Sequence, residues 1–98
     1  MDAHTTVVKY TTSPGKRSWV IDECRELFKF TEEREFDVFS LAIFMEVEGE
    51  EGFIILERYV DMEAERKHLE SERCVKCLER IKEFITGHES VSYRIVDV

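Results

Sequence analysis

The sequence has few of the residues that break or crosslink a chain: one proline, four glycines and three cysteines among 98 residues. This scarcity of proline and glycine excludes a collagen-like or low-complexity chain. No apolar run approaches the roughly 20 residues that cross a bilayer, so we expect no transmembrane helix and no membrane partner. The start of the chain, Met1–His4, is neither basic nor apolar, and no secretory leader is expected.

The cysteine count is odd, whereas small domains stapled by disulfides usually carry an even number. The sequence therefore predicts reduced thiols and a cytoplasmic location. A chain of this length holds one hydrophobic core, so we expect a single domain over residues 1–98.

The chain has no excess of positive charge; its formal net charge is −8. The acidity is concentrated in residues 22–57, where twelve acids face three bases. A field of this sign repels phosphate backbones, which argues against general nucleic-acid binding. The favoured interpretation of the acidic surface is a solvated surface that keeps the protein soluble. A basic protein partner for that surface is the alternative.

Hydrophobic periodicity predicts the element order β-α-β-β-α-β. Alternation at period two predicts strands, and the spacing i, i+4, i+7 and i+8 predicts the first helix. Asp61 is expected to cap the second helix, Ser71 to mark a kink or a new helix start, and Gly87 to end it. The expected elements are a strand over 5–12, a helix over about 14–30, a hairpin of strands over 36–47 and 53–60, a helix from 61 to about 86, and a last strand over 91–96. This order is that of a single ferredoxin-like α+β sandwich, in which two helices cover one face of an antiparallel sheet.

The hairpin strands are apolar on both faces, although a solvated sheet face normally alternates to polar residues. We place Phe39, Leu41, Ile43, Ile54 and Leu56 against the helices. The opposite face then carries Val38, Ala42, Phe44, Phe53, Ile55 and Tyr59. Exposed apolar patches of this kind mark interfaces, and no spare segment of the chain is available to cover this one. The sequence therefore predicts a homodimer that forms through the outer sheet face.

The pair Cys74 and Cys77 has the spacing of a metal-binding or redox motif. A structural zinc site needs four ligands, and no second pair is present. A redox pair sits at an exposed helix start, whereas this one falls inside a predicted helix, on or beside its apolar stripe. Both thiols are therefore expected in the core, reduced and metal-free.

The loop before the first helix contains Gly15, Lys16, Arg17 and Ser18, which form a weak candidate anion site. Backbone N–H groups at a helix start, together with two cations, favour a negative ligand. The glycine spacing of a P-loop is missing, and the favoured interpretation is a helix with a basic first turn.

No catalytic residues are predicted, because His4, His68 and His88 are far apart in the sequence and none adjoins a nucleophile with an orienting group. The residues favour a non-enzymatic homodimeric interaction or regulatory module that binds a partner or small ligand at the dimer seam. One alternative is a small enzyme with an inter-subunit site that uses Cys24, His68 or the Lys16 and Arg17 pair. Another is an acidic decoy or inhibitor of a nucleic-acid-binding protein. No cofactor or metal is predicted.

Overall fold

A computed structural model describes residues 3–94 and Val96, except the side chains of Phe39 and Ser40. The chain forms two β-α-β halves joined by a hairpin, as the sequence predicts. The elements are β1 (His4–Thr12), α1 (Arg17–Arg34), β2 (Val38–Met45), β3 (Gly52–Tyr59), α2 (Met62–Glu70), α3 (Glu72–Ile81), a short 3-10 turn (Lys82–Phe84) and β4 (Ile85–Arg94).

The four strands form one antiparallel sheet in the order β2-β3-β1-β4. The helices pack on one face, with α1 against β1 and β2, and α2 against β3. The buried stripe of α1 includes Val20, Cys24, Leu27, Phe28 and Thr31, which confirms the helical spacing in the sequence. The prediction of a ferredoxin-like α+β fold is therefore confirmed. None of the helices in the described residues is long and apolar enough to cross a membrane.

Helix boundaries differ from the prediction at two places. Helix α1 begins at Arg17 rather than Pro14, because residues 13–16 form a turn in which Gly15 has φ 77°. The second predicted helix is two helices, and Ser71 ends one and starts the other. Its N–H donates to the His68 carbonyl, while its Oγ accepts from the Cys74 N–H at 3.3 Å.

Two other residues of this region, Asp61 and Gly87, are predicted to lie at helix ends, and only Asp61 does. Asp61 caps α2 as predicted, accepting from the Ala64 N–H at 2.9 Å. Gly87 is not a helix stop; it lies in β4 opposite Thr11. There an added Cβ would lie 3.3 Å from Thr11 Oγ1, so the close pairing of β4 with β1 favours glycine.

The predicted face of β3 is wrong. In the hairpin Ile43 pairs with Ile55 and Met45 with Phe53, and directly opposed residues share a face. Phe53, Ile55 and Tyr59 therefore face the helices and are buried, with Phe53 and Tyr59 at 0% exposure. Both faces of β3 are apolar near its start, so periodicity could not choose between them. The pairing across the turn does, because the Glu46 N–H donates to the Gly52 carbonyl.

The outer face of the sheet carries Ala42 and Phe44 as predicted, but Ile54 and Leu56 replace the β3 residues expected there. Val38 is also misassigned: it pairs with Tyr59, because the register shifts between Val38 and Ser40. We call the apolar residues of this surface the outer patch: Val7, Ala42, Phe44, Ile54, Leu56, Val91 and Tyr93.

The observed face of β3 can be tested by making the same substitution, phenylalanine to alanine, at one buried and one exposed position. Phe53→Ala should lower the free energy of unfolding by about 3–5 kcal/mol, since it empties a fully buried position. Phe36→Ala is the control, because Phe36 is 87% exposed, and it should change that free energy by about 0.5 kcal/mol or less. Urea unfolding monitored by circular dichroism measures both values. Equal losses in the two variants would contradict the observed face of β3.

Candidate functional site

A cavity of about 540 Å³ lies between the helices and the sheet. Its apolar wall comes from four elements and includes Val8, Tyr10, Leu27, Phe28, Ile55 and Ile81. Leu78, Lys82, His88 and Ser90 also line the cavity but are exposed, so it opens to solvent between α3 and β4. Apolar cavities with a few polar groups are the usual form of a small-molecule site.

A polar cluster closes one end of this cavity. Its members include Glu57 on β3 and His68 on α2, which are buried at 7% and 2% exposure. His68 Nε2 lies 3.6 Å from Glu57 Oε2, and His68 Nδ1 lies 3.0 Å from Glu35 Oε1. The Tyr59 hydroxyl donates to Glu57 Oε2.

The hydrogen-bond partners of His68 indicate which of its two ring nitrogens carries the proton. An ionised carboxylate only accepts, so Glu35 favours the tautomer in which His68 Nδ1 carries the proton. His68 Nε2 is then the nitrogen that faces Glu57. The two groups therefore face each other at the end of an apolar cavity, at a separation just beyond hydrogen-bond distance.

Burial raises the pKa of Glu57, and the hydroxyl of Tyr59 and the charge of His68 oppose that rise only in part. The neighbouring carboxylates Glu65 and Glu35 raise this pKa further. Burial also raises the pKa of Tyr59, and the Glu57 charge adds to it, so Tyr59 keeps its proton and acts as a donor. A carboxyl with a raised pKa is a common feature of general acid–base sites.

A second group of polar side chains holds Glu65 beside the cluster. Thr6 donates to Glu65 Oε2, and His4 Nε2 lies 3.0 Å from Glu65 Oε1. Thr6 Oγ1 is also 3.1 Å from Ser92 Oγ. Carboxylates from α2 and β3 are therefore both held in place where the cavity becomes polar.

A family model described as "Antibiotic biosynthesis monooxygenase" matches residues 3–80 of this chain. The chain belongs to the antibiotic biosynthesis monooxygenase family. The match covers β1 through α3 and therefore includes the polar cluster and most of the cavity wall.

Solved structures agree with the family at the level of the fold. A proposed antibiotic biosynthesis monooxygenase from Caulobacter crescentus superposes with a TM-score of 0.92 at 14% identity, covering 98% of this chain and 92% of that one. A conserved protein from Methanosarcina mazei has a TM-score of 0.86 at 23% identity, covering 96% and 93%. The comparison with curated proteins gives no match.

In this family member, the two cations of the candidate anion loop contact other parts of the fold. Arg17 Nη1 donates to the carbonyls of Gly49 and Gly52, at 2.6 and 3.2 Å. Lys16 Nζ lies 5.1 Å from the centre of the Phe84 ring. Arg17 thus braces the acidic hairpin turn. Gly15 lies in the turn before α1, and Ser18 lies in the first turn of that helix. Anion binding at this loop stays a prediction.

The three cysteines lie in the core as predicted, and all are buried and free. All three also line the cavity, which the sequence analysis did not anticipate. Burial raises the pKa of Cys74 to about 12. Within residues 3–94 and Val96, no group of three or more His, Cys, Asp and Glu side chains is placed to hold a metal ion.

Sequence patterns do not identify Glu57 or Glu35 as site residues, and His68 enters a predicted site only in the alternative of an inter-subunit enzyme. The available indication is an acidic residue, Glu57, that directly follows the apolar start of β3 and shares a face with Phe53 and Ile55. With β3 assigned to the wrong face, Tyr59 pointed away from His68 and no cluster could be assembled.

The raised pKa of Glu57 predicts a particular pH dependence of stability. The folded state binds the Glu57 proton more tightly than the unfolded state, so this group's contribution to stability is full below the ordinary value of 4.5. The contribution falls as pH rises from 4.5 through the folded pKa. Glu57→Gln removes this dependence, so the variant should gain stability relative to the parent as the pH rises above 4.5.

Urea unfolding of both proteins at several pH values measures this difference. Exposed Glu79→Gln is the matched control and should track the parent across the range. A difference between Glu57→Gln and the parent that does not change with pH would contradict the raised pKa.

Proposed function

We propose that the cavity binds an apolar small molecule and that Glu57 and His68 move a proton to or from it. The observation that supports this proposal most strongly is the buried carboxyl and imidazole pair at the end of an apolar cavity. Membership in a family described as monooxygenases supports enzymatic activity over a purely structural role. This proposal replaces the predicted ligand site at a dimer seam with a site inside one chain.

The proposed chemistry uses residues of this chain. The apolar wall binds the body of the ligand and excludes water, which strengthens the electrostatic interactions at the polar end. Glu57 and His68 together accept the proton of a ligand hydroxyl or an acidic C–H group. Glu35 steadies the imidazolium that forms, and Tyr59 holds the Glu57 carboxylate in place. An organic anion made in this way gives up an electron to dioxygen more readily than its neutral parent does.

A matched pair of probes tests this site. 1-Naphthol and naphthalene share an apolar body, and only the first carries an acidic hydroxyl. We expect 1-naphthol to bind more tightly than naphthalene, measured by calorimetry or by the shift in melting temperature. Glu57→Gln and His68→Asn should remove the advantage of the hydroxyl and leave naphthalene binding unchanged.

Glu79→Gln again serves as the control and should bind both probes like the parent. Equal affinity for the two probes in the parent protein would show that the polar end does not recognise a hydroxyl. No binding of either probe would show that the cavity is closed to such ligands.

We further propose that two chains associate through the outer patch. Proteins with this domain commonly dimerise. Phe44 is 52% exposed in the single chain, and Val91 and Tyr93 are exposed to a similar degree. Apolar surface of this kind gains free energy when a second copy covers it.

Light scattering at micromolar concentration tests the dimer. The parent should have twice the 11.6 kDa mass of one chain. Phe44→Glu should give the monomer, because it places a charge on the apolar surface that the second copy would cover. Met62→Glu adds the same charge at an exposed position on α2 and should stay dimeric. A monomeric parent would remove this proposal.

A basic partner for the acidic surface and a cytoplasmic location stay predictions.

A further inference from the structure

A second concave surface, a groove of about 570 Å³, lies where the ends of α1 and α2 meet the start of α3. None of the residues described as lining this groove also lines the cavity. The groove residues include two carboxylates, Glu35 and Glu72, and four cations: Arg34, Lys67, Arg73 and Lys76. We call this surface the basic groove. It has an excess of positive charge in a chain whose formal net charge is −8.

The two carboxylates of the basic groove are engaged with other groups. Glu35 Oε1 lies 3.0 Å from His68 Nδ1, so its charge is directed towards the polar cluster. The Glu72 carboxylate pairs with Lys76 Nζ at 2.8 Å. The remaining cations of the groove are therefore not neutralised by its own carboxylates.

Three cations of the groove are available to a ligand. Within the part of the chain that the structure describes, Lys67 and Arg73 have no carboxylate partner. Arg34 pairs with Glu33 at 3.0 Å, but both side chains are exposed. Exposed pairs of this kind contribute little to stability, so a bound anion can replace Glu33 with little loss.

The ring of Phe30 holds two of these cations close to each other. Arg34 Cζ lies 4.5 Å from the centre of the ring, and Arg73 Cζ lies 5.7 Å from it. The face of an aromatic ring attracts a guanidinium group and so fixes its position. Two positive charges beside one ring also repel each other, and a negative group between them removes that repulsion.

The basic groove differs in this respect from the candidate anion loop before α1. In the loop, Arg17 donates to two backbone carbonyls, and Lys16 lies over the Phe84 ring. Both cations of the loop thus have partners within the fold. The observations therefore favour the groove over the loop as the place where an anion binds.

We propose that the basic groove binds the phosphate group of a small molecule. The planar guanidinium groups of Arg34 and Arg73 each match the paired oxygens of phosphate, and Lys67 adds a third positive charge. The negative net charge of the chain repels long polyanions such as nucleic acids, so the ligand is small. This inference goes beyond the proposed function and does not depend on it.

Inorganic phosphate is the probe, and its binding is measured by nuclear magnetic resonance of the ¹⁵N-labelled protein at about pH 8, where phosphate carries nearly two charges. Titration should give saturable shifts of the backbone amide signals of residues 71–74 and of the Arg34 and Arg73 Nε–H signals. Sodium chloride at the same ionic strength is the control for general screening and should give no saturable shift at these signals.

Three variants, each losing one positive charge, locate the site. Arg73→Gln should weaken phosphate binding about tenfold or more, because it removes charge-assisted hydrogen bonds. Lys67→Gln should weaken binding about threefold, and its exposed position keeps the test valid if Arg73→Gln disturbs the packing on Phe30. Arg25→Gln is the matched control at an exposed position of α1 outside the groove, and it should bind within about twofold of the parent.

Three results would overturn the proposal. Phosphate shifts centred on residues 15–18 would place the anion site in the loop before α1. Equal weakening by Arg73→Gln, Lys67→Gln and Arg25→Gln would show a general effect of net charge. The same shifts with chloride and with phosphate would show screening without a site.

Discussion

Strand β3 is hydrogen-bonded to β2 on one side and to β1 on the other, and its register decides where the chemistry of this protein lies. Val8 and Ile43 both pair with Ile55, so Glu57 and Tyr59 must share the helix-facing side with it. A slip of one residue would turn both side chains to the outer face. His68 would then lose its partners, and the cavity would lose its polar end.

The same register buries the carboxyl of Glu57. Burying a charged group costs free energy unless hydrogen-bonding or charged partners compensate. Tyr59, His68 and, through His68, Glu35 supply those partners from a strand, a helix and the end of α1. Burial still raises the pKa of Glu57, so compensation is incomplete. A buried carboxyl that lowers the stability of a small domain, as Glu57 does, is typical of a functional site. At such sites a residue is kept for its chemistry although it destabilises the fold.

The order of the elements could be predicted because it depends on local patterns: the stripe of α1, the alternation of the hairpin and the caps at Asp61 and Ser71. The face of β3 could not, because Phe53 to Leu56 are apolar without interruption and only the pairing across the turn selects a face. The site could not be predicted for a related reason. Glu35 and His68 are 33 residues apart and meet only when α2 packs on β3 beside the end of α1.

Helix α1 contributes to both ends of the cavity, with Cys24 at the thiol wall and Glu35 following its last turn at the polar cluster. About ten helical rises separate Cys24 from the end of α1, which is roughly 15 Å. Even so, the charge of Glu57 adds to the effect of burial in raising the pKa of Cys74, so the polar cluster and the cysteines of the cavity wall share one electrostatic environment.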